Sequence, residues 1–205
     1  MIKDITMLTA YFKIFKDSDK VPDIGLDFSD YRKNKILLCK NSHDKLLEYG
    51  AALTLKKGLS ELGFDERITR YAIKDNGKPY FPDIPSLHFS ISHAKNMAIT
   101  VFSDKNVGID CEHSKRILPD KILSRFFSRD EVEAYRKSPL KLWVIKESLS
   151  KLSGNGILGE MKKNAIPFFE ETMFIGGIQL KLYTLKDYLI CVSSEEHGEC
   201  RFISV

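Results

Sequence analysis

The sequence reads as an α+β fold. Three observations point there. The chain has 205 residues, which suits one domain of ordinary-to-large size or two small ones. Hydrophobic residues make up 43% and charged residues 29%, so it can build a core without metal or disulfide staples. Helical and strand-type patterns occur in both halves, with a possible join at residues 103–106.

The elements follow in order. Residues 5–15 are apolar enough for a first strand. Ser29 caps a helix through Arg32, Lys35 and Leu38. A longer helix is predicted over 42–62. Leu47, Ala51, Leu55, Leu59 and Leu62 repeat at helical spacing there, and Gly63 suits a left-handed stop. Asp75-Asn76-Gly77 is a turn signal between extended residues 70–74 and 80–81. Residues 86–91, 97–102 and 106–112 read as strands. Ser128 with Glu131 makes a capping box. Ser138-Pro139 opens another helix, which should end at Gly154. Residues 173–175, 178–183, 188–193 and 201–205 read as strands.

Composition excludes several classes. No stretch approaches the roughly 20 apolar residues needed to span a bilayer. Charged residues interrupt the N-terminal stretch, which argues against a secretory signal. Cys39, Cys111, Cys191 and Cys200 form no Cys-x-x-Cys pair and match no zinc spacing. They are expected to be reduced thiols of a cytoplasmic protein. A net charge of +4 permits an acidic partner without announcing a nucleic-acid binder.

Four constellations could carry chemistry. In Gly108-Ile109-Asp110-Cys111-Glu112, strand alternation sends Asp110 and Glu112 to one face. Paired carboxylates suit a hard divalent ion, or simply a solvated strand face. In the helix Trp143 to Lys151, Leu142, Ile145, Leu149 and Leu152 form the apolar stripe, with Glu147 and Lys151 nearly opposite. That pair reads as a surface i,i+4 ion pair, unless a second element covers the face. Lys78, Ser92 and His93 are donors that could hold phosphate oxygens, or a turn lysine and strand-end caps. A Ser–His–Asp system is disfavoured, because adjacent side chains diverge on an extended strand and no glycine elbow frames either serine. Arg32, Lys33, Lys35, Lys40 and Lys45 form a basic run that could be solvated or could grip a phosphate.

In order along the chain, these are a basic helix, Gly-Lys-Pro, Ser-His, Gly-Ile-Asp-x-Glu and Trp-x-x-Lys-Glu-Ser-x-x-Lys with Gly154-Asn155-Gly156-Ile157. That series resembles the 4′-phosphopantetheinyl transferases of the surfactin-synthetase-activator (Sfp-type) class. Residues 77–112 and 126–157 carry the resemblance, and 29–62 carry it loosely. Ser90, Ala94 and Cys111 depart from the usual residues, all outside the expected metal positions.

The resemblance implies two pseudo-twofold-related α+β halves in one chain, 1–104 binding coenzyme A and 105–205 metal-binding and catalytic. It implies transfer of the phosphopantetheine arm of coenzyme A to a serine of an apo acyl or peptidyl carrier protein, releasing adenosine 3′,5′-bisphosphate. Asp110, Glu112 and Glu147 would hold Mg²⁺. Glu147 and Lys151 would be catalytic, with Lys146 second choice to Lys151. Arg32, Lys35, Lys45, Lys78, Ser92 and His93 would contact coenzyme A. Ile117, Leu118 and Phe126 could serve carrier docking. The expected state is a cytoplasmic monomer without nucleic acid or membrane partners. The alternatives are a non-catalytic carrier- or nucleotide-binding module of the same fold and a Mg²⁺-dependent phosphohydrolase.

Overall fold

The computed structural model describes residues 8–156 and 165–205. Residues 5–7 of the first expected strand, and Ile157 of the glycine motif, lie outside them.

The elements run in the expected order. Strand β1 is Thr9–Ile14, helix α1 Asp30–Leu37 and helix α2 Ser42–Glu61. Short strands β2 (Ala72–Ile73) and β3 (Pro79–Tyr80) flank the predicted turn. Strands β4 (His88–Ala94), β5 (Met97–Ser103) and β6 (Val107–His113) follow. Helices α3 (Asp120–Phe126), α4 (Arg129–Ala134) and α5 (Pro139–Ser153) come next. Strands β7 (Thr172–Ile175), β8 (Ile178–Leu185), β9 (Tyr188–Ser194) and β10 (Arg201–Ser204) finish the chain. Among the described residues only α3 had no counterpart in the sequence reading; it is seven residues long and has no side-chain cap bond.

The local signals act as read. The Ser29 side chain accepts from the Arg32 amide. Gly63 ends α2 at φ +88° and Gly154 ends α5 at φ +73°, a region only glycine enters without strain. The Ser128–Glu131 capping box is complete.

Two four-stranded sheets form, ordered β10-β1-β5-β4 and β6-β9-β8-β7. Their facing sides share one core. Ala10, Phe12, Ile99 and Val101 come from the first sheet, and Ile109, Cys111, Ile190 and Val192 from the second. Helix α2 covers the outer face of the first sheet, where Leu55 and Leu59 meet Tyr11, Phe89 and Phe102. Helix α5 covers the second, where Leu142, Ile145 and Leu149 meet Leu180, Leu182 and Cys191.

The halves repeat one arrangement, a helix on an antiparallel pair. Even the buried hydroxyls correspond. Thr54 of α2 meets Thr100 of β5 at 2.7 Å, and Ser148 of α5 meets Ser193 of β9 at 2.6 Å. The C-terminal strand crosses back, with β10 pairing in parallel with β1. None of the four cysteines is bridged.

The sheets meet along edge strands β4 and β6. Ser90 Oγ accepts the Ile109 amide at 3.1 Å, and Ser92 Oγ accepts the Cys111 amide at 3.3 Å. Two hydroxyls therefore satisfy edge amides of β6 that no neighbouring backbone reaches on that side. This seam places the first half against the carboxylates of the second.

Candidate active site

A cavity of about 590 Å³ opens over the seam. That volume suits a small-molecule site. Residues from both halves line it, among them Arg32, Lys35, Glu48 and His93 from the first and Asp110, Glu112, Glu147 and Lys151 from the second.

Strand alternation works as expected. Ile109 and Cys111 enter the shared core, while Asp110 and Glu112 face the cavity. The solvated-face reading is corrected, because both carboxylates are buried. The i,i+4 surface pair is corrected too: Lys151 forms its ion pair with Asp110, at 2.7 Å. Lys151 Nζ also donates to Ser92 Oγ at 2.8 Å. The Ser92 hydroxyl donates to Asp110 Oδ1 at 2.7 Å. With Lys151 and the Cys111 amide as donors to it, Ser92 has both lone pairs and its hydrogen in use.

Asp110 Oδ2 is left over. It is buried and has no hydrogen-bond partner. An orphaned carboxylate oxygen in a cavity wall is costly unless a ligand completes it. Glu147 lines the same wall, and its carboxyl is pushed up to about 7 by burial and by the Asp110 charge, against partial relief from Lys151 and Arg116. Glu112 accepts from Trp143 Nε1 at 3.2 Å and from the Arg116 guanidinium. Arg116 also lies over the Trp143 ring, 5.2 Å from its centroid.

Asp110, Glu112 and Glu147 thus share one cavity. Their oxygen donors, with the unpartnered Asp110 Oδ2 among them, fit a hard divalent cation. Among the described residues, no three His, Cys, Asp or Glu side chains are already gathered as a metal cluster.

Arg32 lines the same cavity and is only 2% exposed. Its guanidinium lies 4.8 Å from the Tyr71 ring centroid, and Tyr71 stacks on Tyr31 at 4.2 Å. Arg32 Nε and Nη2 are buried without hydrogen-bond partners. A buried cation with unused donors in a cavity wall is built to meet an anion. Ser29 fixes the start of α1 by donating through its amide and hydroxyl to Glu66, at 2.9 and 2.6 Å. Lys35 adds a second cation, with Glu48 3.8 Å away. The His93 ring is lowered from its ordinary value, first by exclusion of water and then by the nearby Lys151 and Lys35 charges, against the pull of Glu48.

The remaining expected residues do not all reach the cavity with free groups. Lys45 lies on the first turn of α2 and is not on the cavity wall. Lys78 is on the wall, but its ammonium donates to Asn106 Oδ1, to Val107 O at 3.1 Å and to Leu152 O at 2.8 Å. Lys146 is buried against Glu131 at 2.6 Å, away from the cavity. Burial alone would raise the Glu131 carboxyl, but Lys146 and the Ser128 and Ile166 amides outweigh it and hold it low. Leu118 is core, whereas Ile117 is 88% exposed. The sequence reading missed Arg116, Glu48 and the tyrosine platform of Arg32. No spacing rule links Arg116 to Glu112 outside a helix, and Tyr71 meets Arg32 only through the fold.

Comparison with known proteins adds to this geometry. Residues 106–197 match the model of the 4′-phosphopantetheinyl transferase superfamily. The 4′-phosphopantetheinyl transferase Sfp of Bacillus subtilis (strain 168) is 37% identical over 101 residues, 45% of this chain and 45% of that protein. The 4′-phosphopantetheinyl transferase psf-1 of Bacillus pumilus is 38% identical over 95 residues, 42% of this chain and 40% of that protein. The matches span less than half the length of these relatives. They show the resemblance, and the α+β architecture agrees with it.

Proposed function

We propose that this protein is a 4′-phosphopantetheinyl transferase, moving the phosphopantetheine arm of coenzyme A to a serine of an apo acyl or peptidyl carrier protein. One observation carries the reading. Asp110, with its buried and unpartnered Oδ2, lines one cavity together with Lys151, Glu147 and Arg32, whose Nε and Nη2 are also buried without partners. One ligand-sized wall therefore offers carboxylate oxygens for a cation and basic donors for an anion. The names of the partial relatives support it.

Coenzyme A is a polyanion. Arg32 and Lys35 would take a phosphate, with His93 beside them. Lys45 is not on the wall and Lys78 has its donors engaged, so neither is assigned a coenzyme A contact. Ser92, whose hydroxyl is saturated, orients Asp110 and Lys151. Asp110, Glu112 and Glu147 would hold Mg²⁺. When bound, Mg²⁺ would neutralise the pyrophosphate and the charge that grows on the leaving bisphosphate.

The carrier serine oxygen forms a bond to the pantetheine-side phosphorus as the bond from that phosphorus to the bridging oxygen breaks. Adenosine 3′,5′-bisphosphate leaves with that electron pair. Lys151 offsets charge on the reacting oxygens. Glu147 takes the serine proton directly or, since a bound cation lowers a carboxylate's basicity, through a water. The cavity is built from a single chain, which suits a monomer, and net charge +4 favours encounter with an acidic carrier.

Mass spectrometry of an apo carrier protein after incubation with this protein, coenzyme A and Mg²⁺ tests the reading. The expected result is a phosphopantetheine mass increment that disappears with a chelator. Unmodified carrier with coenzyme A still bound would favour the non-catalytic module. Phosphopantetheine released without carrier would favour the phosphohydrolase.

A further inference from the structure

The turn between β2 and β3 belongs to the first half, yet its tip is fastened to the second. The Lys78 ammonium donates to Asn106 Oδ1, Val107 O and Leu152 O. An ammonium has three hydrogens, so all its donors are in use. Two amides complete the knot. Asn106 Nδ2 donates to Leu152 O at 3.1 Å, and Asn76 Nδ2 donates to Ser153 O at 3.3 Å. The last carbonyls of a helix have no partner inside it, and a cation there also favours the helix dipole. Side chains from outside α5 thus cap its C-terminus. The fit is tight: a Cβ on Gly154 would lie 2.3 Å from Asn76 Nδ2.

What the knot holds is close to the reacting groups. Leu152 is the neighbour of Lys151, and Val107 lies three residues before Asp110 on β6. One nitrogen therefore ties the last turn of α5 to the start of β6, beside the 2.7 Å contact between Lys151 and Asp110. A small slip between these elements would spoil that alignment, and such misplacements reduce rate more than binding.

We propose that Lys78, with Asn76 and Asn106, is a positioning residue that locks the end of α5 onto β6 and so sets Lys151 against Asp110. The catalytic part rests on the transferase reading above; the lock itself does not.

Two variants separate a lock from a coenzyme A contact. Lys78→Met removes the donors. Lys78→Arg keeps the charge, but a planar guanidinium cannot serve three acceptors from one atom. For the full chain, coenzyme A affinity is measured by calorimetry, kcat by transfer to an apo carrier, and amide hydrogen exchange over residues 150–154. In both variants kcat should fall about tenfold or more, coenzyme A affinity should stay within about threefold, and exchange should quicken about tenfold. Full kcat in Lys78→Arg overturns the proposal. So does a tenfold loss of affinity with saturated kcat and exchange unchanged, because Lys78 would then be a ligand contact. Should Lys78→Met fail to fold, Asn76→Ala at the exposed turn tip is expected to quicken the same amides, and unchanged exchange in it overturns the lock. A wild type that transfers nothing overturns the transferase reading, while the exchange data decide the lock separately.

Discussion

At position 147 a carboxyl is held near neutrality by burial and by Asp110. That value belongs to the metal-free protein; a divalent cation bound beside it would lower it and leave the carboxylate ionised, ready to accept a proton through a water. Glu147→Gln should lower transfer by about 10²–10⁴-fold without unfolding the chain. Circular dichroism and the mass-spectrometric transfer assay check this together, and wild-type transfer by a folded variant would remove Glu147 from the mechanism. Arg32 gives a second prediction at this scale. It is a buried cation with two unused nitrogens, so its charge is a burden on the empty protein. Arg32→Met keeps the stem that packs on Tyr71 and discards the charge. Coenzyme A affinity should drop about tenfold or more while the melting temperature holds or rises, since charge-assisted bonds are worth about 1.5–3 kcal/mol. Calorimetric titration with coenzyme A reads the first and thermal unfolding the second. A melting temperature that falls sharply would mean the guanidinium serves the fold.

Elements bring these side chains together, and here the sequence was legible unevenly. Caps and turns act within a few residues, so Ser29, Gly63, the Asp75-Asn76-Gly77 turn, Ser128–Glu131 and Gly154 could be read directly. Alternation placed Asp110 and Glu112 on one face because a strand has period two. It could not reveal that α5 would cover that face and bury both. Lys151 was readable as a cation on the right helix, but its partner depends on how α5 lies on β6. Gly108 shows the same limit. On that strand it looked like one member of a motif, yet a Cβ there would lie 2.0 Å from the Ser148 carbonyl oxygen and 2.6 Å from the Leu152 amide. Both are helix backbone and cannot swing aside. Gly108→Ala should therefore push α5 off β6 and destabilise by about 1–3 kcal/mol or more. The urea midpoint should fall with an unchanged slope, and transfer should fall with it. An unaltered midpoint would show that α5 can move without strain.

Across the whole molecule, the burial that tunes these groups makes stability depend on pH in opposing ways. Glu147 is raised in the folded state, so its contribution is fully present below its ordinary value near 4.5 and is lost as pH rises to about 7. His88 and His93 are lowered by exclusion of water, so theirs is lost as pH falls through the ordinary histidine value of 6.5. The two effects offset each other in the wild type. Only the difference from Glu147→Gln isolates the carboxyl, and the variant's advantage should grow by about 1–3 kcal/mol between pH 5 and 7. On the alkaline side, burial pushes the thiols of Cys111, Cys191 and Cys200 from 9.0 up to about 12, so stability declines above pH 9. Lys78 acts against them. Exclusion of water, then the neighbouring Lys74 charge, lowers it from 10.5 to about 8, so folding disfavours its charge and its contribution rises with pH across that interval. Three thiols outweigh one ammonium, and the net alkaline trend is downward. Removing the ammonium should then steepen it. Denaturant titrations of wild type and Lys78→Met from pH 8 to 10.5 read the effect directly. A variant that loses stability with the wild-type slope would show that the Lys78 ammonium is as well hydrated in the folded protein as in the unfolded chain.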